Sequence, residues 1–468
     1  MKVTFFGAAR GVTGSKHVIE SDGFKLLLDC GLYQGKRQET YDLNKTLPFL
    51  AGQIGAVILS HAHADHCGAL PLLVKNGYGR EIFATPATAD IARLIMLDSA
   101  KLQENDYWYS KKHPLPGNKL FPPLYTVDDA ESASRHFEPT PYNRKASAWN
   151  QLNGRLRFKF YDAGHILGSA ITVIEGDESG RKITLAYTGD LGNTHVPILP
   201  EPEIMAESVE SLIVECTYGD KNHRPAEEVA AFLKEVITDA VKNKRKIVVP
   251  AFALGRTQEL IYILHKLYDA GQIPVIPIYI DSPLADGITK VFARYKEDYD
   301  QEARADFVSR NESPFAFKNL RYISSVEESK SLSASAGPFM VIASSGMAEG
   351  GRVPHHLEHT VSDPNAVVIL TGYQAENTLG RKLQAGVTPV RIYDKMYGVA
   401  ARILMIDELS AHADQNGLLS YISRIKGLKK VFLVHAEPRP LAIFKDVLQS
   451  RLPALEVIIP KAGETFEV

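Results

Sequence analysis

The chain has 468 residues, 45% of them hydrophobic and 23% charged, a balance typical of a globular protein of two to four units at ~100–200 residues each. Its 53 basic and 55 acidic residues give a net charge of −2, so composition lends no support to a nucleic-acid partner. No run approaches the ~18 apolar residues of a membrane span, and the first residues lack a basic region followed by an apolar stretch. Three scattered cysteines, Cys30, Cys67 and Cys216, do not form a disulfide framework and read as buried filler in a reducing compartment. A soluble, cytoplasmic protein is expected.

In chain order, "KVTFFG", "KHVIES", "FKLLLDCG" and "GAVILS" are short strands joined by Gly-rich turns. The stretch "GAARGVTGS" lacks the Gly-Lys-Ser/Thr ending of a nucleotide loop and joins two strands. Helices are expected at "GALPLLVKNG" and "ATADIARLIMLDSAKL", and strands at "GRLRFKFYDAGH" and "KITLAYTGD". Residues 103–153 read as an irregular excursion. From about residue 208 strands and helices alternate, which implies a parallel sheet with functional loops at the strand C-termini. The helix with Val229, Phe232, Leu233, Val236, Ile237, Ala240 and Val241 shows i, i+3, i+4, i+7 spacing, with Pro225 suited to its first turn. Beyond about residue 400 come "ILMIDELSAHAD", a helix near 415–426, "KKVFLVHAEP", a second helix and a last strand. The borders expected from this grammar are 1–207, 208–400 and 401–468.

Residues 58–68, "ILSHAHADHCG", crowd three imidazoles and a carboxylate behind an apolar strand. A lone histidine is usually a surface or core residue, but "HxHxDH" after a strand points to metal. His61 and His63, two residues apart, can share one ion while Asp65 and His66 turn towards a second. Zinc usually takes four ligands, so more are needed. His165 in "DAGHILGS", Asp190 in "YTGDLG" and His435 in "FLVHAEP" are candidates, each following a strand-like run.

"HAHADH", "AGHILG" and "YTGD" together resemble the metallo-β-lactamase superfamily, with Asp29 of "LLLDCG" at that superfamily's first motif, where it orients the site. "LIVECTYGD", "PAFALGRTQEL", "ASSGM", "GYQAENTLGRKL", "SAHAD" and "LVHAEP" narrow the resemblance to its β-CASP ribonucleases, along the whole chain. The chain is similar to the endonuclease subunit of the pre-mRNA 3′-end cleavage complex and to compact bacterial homologues. The fold implied is α/β: an αββα sandwich with an inserted parallel-sheet β-CASP domain.

The resemblance implies two Zn2+ ions, one on His61, His63 and His165, the other on Asp65, His66 and His435, bridged by Asp190. Histidine rather than glutamate at position 63 favours zinc over the di-iron relatives. A hydroxide shared by the two ions would attack the scissile phosphorus. His412 would be the general acid for the departing ribose oxygen, with Glu215 as its acidic partner; Asp414 also suits the cap of the following helix. His435 at the third late motif is similar to RNA-cleaving rather than DNA-repair members, so single-stranded RNA is the expected substrate.

Substrate grip is expected from the inserted sheet. Ser345, Gly346 and Met347 of "ASSGMAEGG" offer amides, Arg256 follows Gly255 at a helix start, and "ENTLGR" offers Thr378 and Arg381. Taken singly, each of these loops is an ordinary strand–helix turn. "ASSGM" and "VHAE" depart from the family's more frequent "ASPGM" and "VHGE". Endonucleolytic cleavage is the first expectation. The alternatives are exonucleolytic action like that of ribonuclease J, hydrolysis of small esters or thioesters, and a non-catalytic RNA-binding scaffold. The scaffold reading conflicts with the presence of all seven metal positions. A homodimer is a further expectation of the resemblance.

Overall fold

The computed structural model describes residues 1–468 apart from 36, 114–118, 145–147, 179, 195, 225–226, 373, 376 and 407–408; the side chains of 37 and 227 are also outside the description. The expected helix-start role of Pro225 therefore lies outside the described residues. The chain divides into two units. The first comprises Met1–Thr194, Glu201–Asn222 and His412–Val468, and the second His195–Pro200 and His223–Ala411.

Two seven-stranded sheets build the first unit. One runs, in spatial order, Thr465–Glu467, Lys2–Gly7, Lys16–Ser21, Phe24–Leu28, Ala56–Ile58, Ile82–Ala84 and Phe137–Pro139. Its neighbours are antiparallel up to Phe24–Leu28 and parallel beyond. The other runs Glu456–Ile458, Lys430–Val434, Ser211–Glu215, Arg181–Tyr187, Ala170–Glu178, Leu156–Asp162 and Asn150–Asn153. Its first four strands are parallel, so Tyr187, Glu215 and Val434 end at one edge of the sheet.

Side-chain alternation assigns each strand two faces. Ile213, Phe432 and Val434 point into the layer between the sheets, where they join Phe5, Ile19, Leu28 and Phe158. Leu212, Val214, Val431 and Leu433 point the other way and are covered by Leu418 and Tyr421 of the Gln415–Ser423 helix and by Leu441 and Phe444 of the Pro438–Arg451 helix. Each such fully buried side chain contributes roughly 1.5–3 kcal/mol. Because both faces of this sheet are packed, the strand ends are rigid platforms for the loops they carry.

The second unit has a six-stranded, wholly parallel sheet in the order Leu320–Tyr322, Ile278–Asp281, Phe339–Ala343, Lys246–Pro250, Val367–Thr371 and Arg402–Ile406. Val248, Val341, Val368 and Leu370 form its core with Val353, Leu357 and Leu383. The borders expected at 208 and 400 differ from this division. Ser211–Glu215 is paired into the first unit's sheet, and Arg402–Ile406 into the second's. Strand pairing, which sequence periodicity does not report, is the reason.

The expected excursion at 103–153 is corrected. The helix that starts behind the Thr85 cap runs from Pro86 to Lys112, and a second helix spans Val127–Ser134. Thr126 Oγ1 accepts from Asp129 N at 3.2 Å while Asp129 Oδ2 accepts from Thr126 N at 2.9 Å, a capping box that starts this second helix.

Candidate metal centre

Four loops at strand ends of the first unit bring the motif residues together. His61 and His63 follow Ala56–Ile58, and His66 lies in the short Ala64–Cys67 helix that begins behind His63. His165 follows Leu156–Asp162, Asp190 follows Arg181–Tyr187 and His435 follows Lys430–Val434. His61, His63, His165 and Asp190 form one group whose donor atoms all lie within 4.8 Å of one another, and Asp65, His66 and His435 form a second. A third consists of Asp190, Glu215 and His412.

Hydrogen bonds fix which ring nitrogens point inward. Ser60 Oγ donates to Asp29 Oδ2 at 2.7 Å, so it accepts from His61 Nδ1 at 3.0 Å. His66 Nδ1 donates to the same carboxylate at 2.7 Å. Thr217 Oγ1 donates to the His435 carbonyl at 3.0 Å and therefore accepts from His435 Nδ1 at 3.2 Å. Each of the three Nε2 atoms is thereby left with a lone pair aimed into the site.

The ring nitrogens of both groups converge at hydrogen-bond distance or little beyond it. His66 Nε2 and His435 Nε2 are 3.2 Å apart, and His63 Nδ1 lies 3.1 Å from His61 Nε2 and 3.2 Å from His165 Nε2. Asp190 divides its oxygens between the two groups: Oδ2 is 3.3 Å from His61 Nε2 and 3.5 Å from His165 Nε2, and Oδ1 is 3.3 Å from His66 Nε2 and 3.4 Å from His435 Nδ1. Buried Asp190 Oδ1 accepts no hydrogen bond among the described residues. Converging imidazole nitrogens beside an orphaned carboxylate oxygen fit two cations, one per group, with Asp190 between them.

Electrostatics agree with ligand forms for His61, His63, His165 and Asp190. For His66, burial works to lower the imidazole, but Asp190 and Asp29 outweigh it and raise it well above its usual range, so a cation bound there would displace a proton. Burial pushes His63 down to about 3 and lowers His61 and His165, keeping these imidazoles neutral. For Asp190 burial works towards protonation, but His435, His66 and His61 outweigh it and hold the carboxyl well below the usual range.

Next to this cluster, His412 Nδ1 donates to Glu215 Oε1 at 2.8 Å. Glu215 is fully buried and also accepts from Leu191 N at 2.9 Å and Thr217 N at 3.1 Å, so its orientation is fixed. Burial works to lower His412, but the charge and hydrogen bond of Glu215 outweigh it and raise the imidazole to about 9. Asp414 caps the Gln415–Ser423 helix, its Oδ1 accepting from Gly417 N at 2.8 Å.

The expected substrate residues all lie in the second unit, where three loops join one another. Arg256 opens the Arg256–Asp269 helix behind Gly255, and its Nη1 donates to buried Glu259 at 2.6 Å. In the loop after Phe339–Ala343, a Cβ on Gly346 would stand 2.9 Å from the Phe252 ring, which follows Lys246–Pro250. The Met347 carbonyl accepts from Gly380 N at 3.1 Å, and Thr378 caps the helix that carries Arg381. Arg381 Nη1 donates to Gln384 at 3.2 Å. Tyr373 and Glu376 of "GYQAENTLGRKL" lie outside the described residues.

Ser60, Tyr187 and Thr217 were not foreseen as site residues. Ser60 and Thr217 adjoin motif residues in the sequence, which is a usable signal; Tyr187 reaches Asp29 Oδ2 at 2.6 Å across 158 positions, and carries none.

Among the described residues, no helix is long and apolar enough to cross a membrane. Residues 18–195 match a metallo-beta-lactamase superfamily domain, 257–383 the Beta-Casp domain, and 396–460 a Zn-dependent metallo-hydrolase RNA specificity domain. The chain is 34% identical to Ribonuclease TTHA0252 of Thermus thermophilus over 468 residues, all of both proteins. It is 31% identical to an RNase J-like protein of Methanocaldococcus jannaschii, over 92% of each. With Transcription termination factor FttA of the same organism it shares 29%, covering 100% of this chain and 72% of that one. A crystal structure of a protein of unknown function from Enterococcus faecalis shares the fold at a TM-score of 0.53, with 13% identity over 99% of each chain. Those matches and the His/Asp clusters support a metal-dependent hydrolase, and the chain belongs to the β-CASP ribonuclease family of the metallo-β-lactamase superfamily.

Proposed function

We propose that the protein is a zinc-dependent endoribonuclease acting on single-stranded RNA. The observation that carries this reading is that Asp190 belongs to the His61, His63 and His165 group, reaches His66 and His435 of the other with its second oxygen, and also meets the His412–Glu215 pair. His61, His63 and His165 would hold one ion and Asp65, His66 and His435 the other, with Asp190 between. Five imidazoles and two carboxylates suit zinc, a borderline-soft ion that accepts both. When bound, the two ions would supply Lewis acidity towards a phosphodiester and make water a nucleophile near neutral pH.

The chain's own residues do the rest. Asp29, Ser60 and Thr217 hold the imidazoles in the tautomers that present Nε2. Glu215 keeps His412 Nδ1 protonated and aimed, so Nε2 is the nitrogen that would pass a proton to the departing ribose oxygen. In the second unit, the interlocked loops bearing Arg256, Ser345, Gly346, Met347, Thr378 and Arg381 would grip the RNA backbone through amides and guanidinium groups. His435 and the names of the similar proteins, two of them ribonucleases, favour RNA over DNA.

The test uses zinc-loaded protein on an unstructured RNA and its DNA counterpart, each labelled at the 5′ end and, separately, internally. Internal fragments from RNA alone, absent with an Asp65→Ala, His66→Ala variant, are the expected result. Mononucleotides would instead mark an exonuclease. No cleavage of either polymer by a protein holding two metals would overturn the nuclease reading and direct attention to small esters.

A further inference from the structure

The Pro86–Lys112 helix ties the metal-bearing loops to a distant surface. At its start, Thr85 Oγ1 and Thr88 Oγ1 both donate to the Gly168 carbonyl, at 2.6 and 2.7 Å, three residues after His165. Ile91, Ala92, Met96 and Ala100 bury the first half of the helix. Its last turns are different. Residues 107–113 read Tyr-Trp-Tyr-Ser-Lys-Lys-His, without a carboxylate; the nearest before them are Glu104 and Asp106, and Glu104 accepts from Val127 N at 3.3 Å.

Here Trp108 is 53% exposed and Tyr109 65% exposed, among the large hydrophobic side chains most open to solvent. The Lys111 ammonium sits 4.8 Å from the Trp108 ring centre and 5.7 Å from that of Tyr107. Tyr109 stacks on His113 at 4.5 Å with 29° between the rings. Lysines in a last helical turn are accounted for by the helix dipole. The exposed aromatics are not, because helix propensity and solvation both favour smaller or more polar side chains there.

Rings that offer π-faces beside Lys111 and Lys112, which form no ion pair with an acidic side chain among the described residues, match a single-stranded nucleic acid, whose bases stack and whose phosphates need neutralising. We infer that Trp108 and Tyr109, with Lys111 and Lys112, form a stacking platform for the flanking strand of an RNA substrate. The inference rests on the ribonuclease reading above. From Thr88 to Trp108 the helix rises about 30 Å, at 1.5 Å per residue. That distance corresponds to roughly nine stacked nucleotides at ~3.4 Å each. Long RNAs reach both places, and RNAs of about four nucleotides do not.

Trp108 also supplies its own probe. The chain has two tryptophans, and the ring of Trp149 packs against the cationic groups of Arg157 and Lys159. In a Trp149→Phe background the remaining emission reports Trp108. Titration with an unstructured RNA of about twenty nucleotides should change that emission, whereas one of about four nucleotides should not. Trp108→Ala with Tyr109→Ala should weaken binding of the longer RNA roughly 5- to 150-fold and leave kcat/KM on the shorter one unchanged. Lys111→Ala with Lys112→Ala should lower the slope of log affinity against log salt by about 1.4, at ~0.7 for each phosphate that is no longer neutralised. Unchanged affinity, slope and emission, with wild-type protein still binding and cleaving RNA, would overturn the platform alone. Loss of a dimer at unchanged RNA affinity would overturn it too, marking an interface between copies. A wild-type protein that neither binds nor cleaves RNA would overturn the ribonuclease reading itself.

Discussion

Asp29→Asn removes one charge from the floor of the metal centre while keeping the side-chain shape. Asp29 has φ +58°, a left-handed conformation that asparagine tolerates as well as aspartate, so the backbone does not confound the comparison. Its Oδ2 accepts from Tyr187 Oη at 2.6 Å and from Ser60 Oγ and His66 Nδ1, both at 2.7 Å, and its Oδ1 accepts from Ser60 N at 2.7 Å. An asparagine carbonyl in the Oδ2 position keeps three of these donors. Its amide then confronts Ser60 N–H, donor against donor, which costs about 1–3 kcal/mol for a buried group left unpaired. Turning three charge-assisted bonds into neutral ones adds about 0.5–1.5 kcal/mol for each. His66 loses the anion that holds its tautomer, so metal affinity should fall about 10- to 100-fold. Chelator competition measures the affinity, and thermal unfolding of metal-free protein measures the stability. Affinity within about twofold of wild type would refute the claim that Asp29 orients His66 as a ligand.

Further expectations follow from the acid–base pair and the second unit. His412→Ala should reduce RNA turnover ~10²- to 10⁴-fold with both metals retained, as separate activity and metal-content measurements would show; full activity would remove the acid role. In metal-free protein His412 should titrate at about 9 by NMR, and Glu215→Gln should bring it back towards 6.5. Because the folded value is the higher, the pair's stabilisation is complete below pH 6.5 and is lost as pH rises through about 9; a Gln variant that melts like wild type across that range would contradict this. Asp281 is fully buried and accepts from His356 Nε2 at 2.6 Å, from Ser329 Oγ at 2.5 Å and from Arg352. Burial works to raise its pKa, but these donors outweigh burial and hold it below 3.8. Its contribution is therefore present above pH 3.8 and lost as pH falls through the lower folded value, and Asp281→Asn should destabilise the protein by about 3–5 kcal/mol at neutral pH. An acid-unfolding midpoint unchanged in that variant would exclude this role.

How much was legible depended on whether the information was local. "HAHADH" spans six positions, and the loop and short Ala64–Cys67 helix behind the Ala56–Ile58 strand keep its side chains close together, so its signal is local in the sequence. The helix with Val229, Leu233, Val236, Ile237 and Ala240 on its buried side was legible from periodicity. Glu215 and His412 are separated by 197 positions and meet only because strands from distant parts of the chain pair; a family resemblance, not periodicity, put them together. Tyr187 lacked even that signal, since a tyrosine ending a strand is ordinary until its hydroxyl is seen on Asp29. The capping box of Thr126 and Asp129 is written in the sequence but masked by the Pro- and Gly-rich stretch before it.

The central claim is two metals on seven named side chains doing hydrolysis. The most direct measurement is zinc content per chain, taken alongside RNA cleavage, as metal is returned to chelator-treated protein. Wild type should bind two zinc ions per chain, with activity appearing as the second is filled, and His435→Ala should lose one ion. Full cleavage by protein held in chelator, or at one ion per chain, would contradict that claim.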